Sequence, residues 1–247
     1  MKLLISVQSL EEAKIAVNSG CDILDIKNPS EGSLGANFPW VLKDIIDSFP
    51  DMRCETSATI GDLYHKPGTA SLAGYAVASL GIKYVKAGLY DSRTYEQAVE
   101  MISTVKRAVE MANKKSCFVA CGFADWRKFD GLSPQNLVRA TIKAKGDIVL
   151  LDTFIKDGSN LFDNIEVDEL FQLVDTCHKS GIRCALAGSI KLVDLGRLVK
   201  ISPDFIGVRG AICSDQKNRK SSIDADRTAE FVQRVKKISA KRSNFSD

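Results

Sequence analysis

Residues 22–37 read Asp22-Ile-Leu-Asp-Ile-Lys-Asn-Pro-Ser-Glu-Gly-Ser-Leu-Gly-Ala-Asn37. The first six have the character of a short strand, in which side chains alternate between faces, so Ile23, Asp25 and Lys27 share one side. An amine and a carboxylate side by side at the end of an otherwise apolar strand are costly to bury. A loop containing Gly32, Ser33 and Gly35 follows at once, and glycines let backbone come close to a ligand. The pattern is that of a reactive edge, with Lys27 as the candidate nucleophile.

Moving outward, the same unit recurs. Upstream, Leu3–Val7 reads as a strand. Ser9 with Glu12 three residues on has the form of a capping box, and the helix it opens stops at Gly20. Downstream, Pro39 opens a helix with Val41, Ile45 and Ile46 inward. A third strand is expected over Arg53–Ala58, followed by a turn at Thr59-Ile-Gly-Asp62. Further strands are expected at Ile82–Ala87, Ser116–Cys121, Asp147–Leu151, Arg183–Leu186 and Asp204–Val208, each followed by a helix. Eight such units in 247 residues predict an α/β protein, a single (β/α)8 TIM barrel, which typically needs about 250 residues. The barrel is expected to span residues 1–240, with 241–247 as a loose tail. The competing architecture is a doubly wound open sheet. It lacks its main supporting signal, since no G-x-G-x-x-G stands at the first strand-to-helix turn.

Composition narrows the class. A net charge of +3 gives no bulk electrostatic reason to expect nucleic-acid binding. No apolar run reaches the length of a membrane span. The seven cysteines are scattered singly without a C-x-x-C pair, and with no secretory signal read at the N-terminus this suggests reduced thiols and a cytoplasmic protein. His65 and His178 fall in a loop and near a helix end, away from any cluster with metal-ligand spacing, so neither a metal nor an organic cofactor is expected. Barrels often self-associate, which leaves a homo-oligomer open.

In a barrel the active site lies at the carboxyl ends of the strands. Unusual residues gather at the expected ends: Asp25 and Lys27, Glu55 and Ser57, Lys86, Asp125, then Asp152 with Lys156. Lys27, Lys86 and Lys156 would meet at one mouth. Neighbouring positive charge and desolvation both lower a lysine's pKa, and a neutral amine is what Schiff-base chemistry needs. Asp25 and Asp152 would balance the charge and relay protons. Lys83, at odd spacing from Lys86, should face away. Gly188-Ser189 and Arg209-Gly210 after the last two strands suit a substrate phosphate. Ser33 and Gly35 are assigned to a second phosphate.

Four segments carry a resemblance: Asp25-Ile-Lys-Asn-Pro-Ser-Glu-Gly-Ser-Leu-Gly-Ala-Asn-Phe-Pro-Trp40; Lys66-Pro-Gly-Thr69; Leu151-Asp-Thr-Phe-Ile-Lys-Asp-Gly158; and Ala185-Leu-Ala-Gly-Ser-Ile190 with Gly207-Val-Arg-Gly-Ala211. They are similar to those of the (5-formylfuran-3-yl)methyl phosphate synthase family, known from archaeal methanogens and some methylotrophic bacteria. The resemblance runs from Leu3 to about Ile238. It implies a barrel lyase of methanofuran biosynthesis that condenses two molecules of glyceraldehyde 3-phosphate, a triose phosphate, into one furan phosphate with loss of phosphate and water. It places the family's Schiff-base lysine on Lys27 and its proton-transferring lysine on Lys86, with Asp25, Asp152 and Lys156 in support. Two other readings fit the residues: an aldolase-type barrel acting on another phosphorylated carbonyl compound, and a non-catalytic barrel that binds a phosphorylated metabolite.

Overall fold

The structure, a computed structural model, describes residues 1–243. Eight parallel strands pair in chain order and close into a barrel, which excludes the open sheet. The strands are β1 (Lys2–Val7), β2 (Ile23–Ile26), β3 (Glu55–Asp62), β4 (Tyr84–Gly88), β5 (Cys117–Phe123), β6 (Ile148–Asp152), β7 (Arg183–Leu186) and β8 (Phe205–Val208). Between and after them lie α1 (Leu10–Asn18), α2 (Pro39–Asp47), α3 (Pro67–Ser79), α4 (Tyr95–Ala112), α5 (Pro134–Lys143), α6 (Val167–Lys179), α7 (Leu195–Ile201) and α8 (Ala225–Ser243). The last helix thus passes the expected boundary at residue 240. The rest of the tail, 244–247, lies outside the described residues.

Strand alternation builds two cores. Inward residues, among them Leu4, Ile23, Tyr84, Val119, Leu150 and Phe205, fill the barrel. Outward residues such as Leu3, Ile5, Leu24, Ile26, Val85 and Val149 pack against the helices. The register sets Asp25 opposite Ser6 on one side and Ser57 on the other. Small neighbours leave space for a buried carboxylate in the ring.

Local capping explains the helix starts. Ser9 accepts the Glu12 amide at 3.4 Å, as expected. The Glu12 carboxylate, however, does not close a box on Ser9; it accepts from the Gln8 amide and from Arg209. A buried guanidinium from β8's end outcompetes the local bond because a charge-assisted pair is stronger.

β3 departs most from expectation. It continues past Ala58, through the expected turn, to Asp62, with a register shift between Thr59 and Asp62. Such an irregularity lets a strand extend while re-aiming its last side chains. It also puts Glu55 at the amino end of β3, where it pairs with Lys2 and accepts from Tyr84. Glu55 therefore sits at the opposite end of the barrel from Lys27. Lys83 points away as expected, donating to the Lys115 carbonyl. Among the described residues, no helix is long and apolar enough to cross a membrane.

Candidate active site

Lys27 follows β2 directly, and its amide continues the ladder by donating to the Val7 carbonyl at 2.9 Å. Its side chain therefore keeps the inward parity of Asp25. Both are buried, and both border a cavity at the carboxyl mouth with Lys86, Asp152 and Lys156. The cavity encloses about 500 Å³, part of it open to solvent. The three lysines expected to converge do so.

Two ion pairs flank Lys27. Lys86 on β4 places its Nζ 2.6 Å from Asp25, and Ser6 Oγ donates to the other Asp25 oxygen at 2.8 Å. Lys156 Nζ lies 3.0 Å from Asp152 and also donates to the carbonyl and hydroxyl of Thr153. Lys27 has no such carboxylate partner among the described residues. Its Nζ donates to the Ser33 carbonyl at 3.3 Å.

The charge states follow from this layout. Burial pulls the Lys27 amine down to about 7, and the Arg219 cation pulls the same way, while Asp152 and Asp25 oppose. Burial alone would raise both carboxyls. At Asp25 the Lys86 and Lys27 charges outweigh it and hold the group below its usual range. At Asp152, Lys156 and Lys27 do the same and bring it to about 2. The site thus holds ionised carboxylates beside an amine that is half neutral near pH 7.

The expected second phosphate seat is not formed as drawn from the sequence. Ser33 is buried with its hydroxyl donating to the Thr153 carbonyl at 2.7 Å. The Gly35 carbonyl accepts from the Asn28 amide and from Thr59 Oγ1. A Cβ on Gly35 would fall 2.2 Å from the Asn28 carbonyl oxygen, so glycine stands there to fold the loop on itself. Both residues shape the loop after β2, and neither borders the cavity.

The other phosphate assignment divides. Gly188, Ser189 and Gly210 line the cavity. Gly188 (φ +105°) and Ser189 (φ +52°) are both left-handed. A Cβ at 188 would meet Thr153 Cγ2 at 3.0 Å, so this turn packs directly on the residue after Asp152. Arg209 also borders the cavity, but its five N–H groups are all engaged elsewhere. Nη1 and Nη2 clasp Glu12 at 2.7 and 3.1 Å. The remaining donors go to the carbonyls of Ser6, Arg219 and Ser221. Its guanidinium is a structural clamp between β8's end, α1 and the loop that follows.

Three residues escaped the sequence reading as members of the site. Arg219 lines the cavity from the loop after β8. It lies in the run Asp215-Gln-Lys-Asn-Arg-Lys220, where nothing distinguishes it from its exposed neighbours. Asp62 accepts the Leu34 amide and so holds the loop after β2; the expected early end of β3 concealed it. Phe154 stacks on Tyr90 with centroids 4.4 Å apart, and Phe123 and Phe129 pack against it. These rings close the side of the mouth at β4–β6. Asp125, expected among the end residues, accepts the amides of Phe154 and Ile155 at 2.7 and 2.8 Å and positions that wall.

The fold and the site define a (β/α)8-barrel enzyme whose polar centre lies at the carboxyl mouth. A family model described as 4-HFC-P synthase matches residues 3–232. The chain is 46% identical over 232 residues to the (5-formylfuran-3-yl)methyl phosphate synthase of Methanosarcina barkeri, covering 94% of this chain and 98% of that protein. It is 42% identical over 235 residues to the synthase of that name from Archaeoglobus fulgidus, covering 95% and 99%. The chain belongs to this synthase family. Among solved structures it is similar to a KGPDC from Streptococcus mutans, with a TM-score of 0.65 and 12% identity over 96% of this chain and 98% of the other. It is also similar to phosphoribosyl anthranilate isomerase from Thermus thermophilus, with a TM-score of 0.63 and 13% identity over 96% and 100%. At those identities the likeness concerns the fold alone.

Proposed function

We propose that this enzyme condenses two molecules of glyceraldehyde 3-phosphate into (5-formylfuran-3-yl)methyl phosphate, with loss of phosphate and water, as a lyase of methanofuran biosynthesis. Family membership supports the product. The observation that carries the mechanism is Lys27: an amine shut from water, brought to about 7, and set beside two lysine–carboxylate pairs.

The neutral Lys27 Nζ uses its lone pair to form a C–N bond with the aldehyde carbon of one triose phosphate. The carbonyl oxygen leaves as water, giving an iminium. Removal of a proton from the adjacent carbon then delivers that C–H electron pair into the iminium. Lys86, held by Asp25, and the Asp152–Lys156 pair supply and accept protons through enolisation, carbon–carbon bond formation, phosphate loss and ring closure. One phosphate departs with its C–O electron pair as the neighbouring carbon gives up a proton, ring closure releases water, and hydrolysis of the iminium frees the Lys27 amine. The turn at Gly188 and Ser189, with Gly210, seats a substrate phosphate by backbone amides and a hydroxyl.

Incubating the pure protein with glyceraldehyde 3-phosphate alone, followed by product mass and ultraviolet absorbance, tests the reaction. A furan aldehyde phosphate is expected. A product of any other mass would favour an aldolase-type barrel. Borohydride reduction during turnover and peptide mapping test the first step; a labelled peptide lacking Lys27 dismisses it.

A further inference from the structure

The scheme above leaves Arg219 without a task. It is half-buried, while its neighbours Lys217, Asn218 and Lys220 are exposed. Its guanidinium donates only to backbone, to the Gly32 carbonyl at 3.5 Å and the Ser33 carbonyl at 3.2 Å. Among the described residues no carboxylate forms an ion pair with it. A guanidinium offers five donors in a planar fork suited to phosphate, so most of this fork is unanswered at the edge of a cavity it lines.

Its position is fixed from below. Arg209, clamped to Glu12, donates to the carbonyls of both Arg219 and Ser221 at 2.7 and 3.1 Å. The loop is thereby pinned on either side of Lys220, and the Arg219 side chain is directed into the mouth. There it meets Lys27 at a shared atom: the Ser33 carbonyl accepts from Arg219 at 3.2 Å and from Lys27 at 3.3 Å. A guanidinium and an amine converge on one oxygen.

We propose that Arg219 ties the reactivity of Lys27 to a phosphate: its fork, with the Gly188–Ser189 turn, holds the phosphate of the bound aldehyde and so sets the charge beside Lys27 Nζ. This rests on the Schiff-base reading of Lys27 given above. Before substrate arrives, the bare guanidinium opposes a positive charge on Nζ and favours the free amine. A bound phosphate brings about −1.5 to −2 charges at neutral pH and reverses the local sign. The nitrogen that forms next is a cationic iminium, which the phosphate favours. One arginine therefore assists the amine before attack and ceases to oppose the cation after it, but only for a phosphorylated aldehyde. With unphosphorylated glyceraldehyde no phosphate answers Arg219, and only the Asp152 and Asp62 carboxylates offset its charge.

The test is borohydride trapping at Lys27, read by intact mass, with glyceraldehyde 3-phosphate and with glyceraldehyde, across pH, for wild type, Arg219→Gln and Arg219→Lys. Wild type is expected to trap the phosphorylated aldehyde at lower concentration. Arg219→Gln should lose about tenfold or more of that preference, as for a charge-assisted hydrogen bond, and its pH midpoint with glyceraldehyde should rise. Arg219→Lys should keep the midpoint and lose part of the preference, and it carries the test if the Gln variant does not fold. Wild-type preference and midpoint in Arg219→Gln, or in Arg219→Lys a wild-type preference or a midpoint raised above wild type, would overturn the proposal. If wild type forms no adduct at Lys27, the Schiff-base reading fails and the coupling with it. Calorimetry with inorganic phosphate then judges the anion seat separately: weaker binding in Arg219→Gln supports it, and equal binding removes it.

Discussion

The ammonium of Lys86 stands 2.6 Å from the carboxylate of Asp25, and both side chains are closed off from solvent inside the barrel. Removing one partner leaves the other buried and unbalanced, which costs about 3–5 kcal/mol. Lys86→Met is therefore expected to lower the melting temperature by about 10 °C. Under the proposed mechanism it still forms the trapped adduct at Lys27, while turnover falls by about 10²–10⁴. Calorimetry and trapping on the same preparation check both; normal turnover would remove Lys86 from proton transfer.

Lys27 should weaken the fold it serves. Its amine is lowered from 10.5 to about 7, so between those values the unfolded chain holds a proton that the native state has released. Stability from this group rises with pH across that window, and its penalty, about 5 kcal/mol, is fully present below about pH 7. Lys27→Met is expected to abolish product formation and yet to unfold at higher urea concentration than wild type at pH 6. The gap should narrow toward pH 10. Equal midpoints at pH 6 would contradict the charge assignment. In wild type, trapping should rise with pH through about 7 as the neutral amine accumulates.

Asp152 has the opposite sign. Its carboxyl is lowered from 3.8 to about 2, so its stabilising effect is present above pH 3.8 and is lost as pH falls toward 2. That amounts to about 2 kcal/mol. Asp152→Asn should be less stable than wild type at pH 6 and should show a shallower loss of stability between pH 4 and 2. Acid unfolding followed by circular dichroism measures the slope.

Glu12 and Arg209 form a buried clamp, joined by bonds of 2.7 and 3.1 Å. Either Glu12→Met or Arg209→Met alone should cost about 3–5 kcal/mol, and the double variant should cost less than the sum. Denaturant unfolding of the four proteins gives the coupling. Strictly additive losses would mean that the clamp does not act as a unit.

Gly35→Ala tests the loop after β2. With no room for a Cβ beside the Asn28 carbonyl, the loop must shift, and with it the Ser33 carbonyl that receives Lys27. A displacement on the order of 1 Å at a reactive group can lower the rate about a hundredfold. Slower trapping with little change in melting temperature is expected; an unaffected rate would detach the loop from the chemistry.

What the chain announced in its own order was everything set by near neighbours. Strand parity put Asp25 and Lys27 on one face, and apolar runs alternating with helices, such as those opened at Ser9 and Pro39, gave the eight units. A barrel brings its strand ends together, so the meeting of Lys27 with Lys86, Asp152 and Lys156 followed from topology. The resemblance in residues 25–40 pointed to the same lysine.

Which loop residues meet across the mouth could be decided only in three dimensions. In sequence Arg209, at a strand end, reads as the phosphate ligand, and Arg219, in a polar run, as an exposed residue. Glu12, some two hundred positions from either, engages the first and leaves the second facing the cavity. Ser33 reads as a phosphate ligand until Thr153 takes its hydroxyl, and Asp62 enters only because β3 slips register and runs on. Local spacing determines which face a side chain is on, but its partner there depends on chain segments far apart in sequence, and that pairing decides whether an arginine is clamped to a buried carboxylate or left facing the cavity.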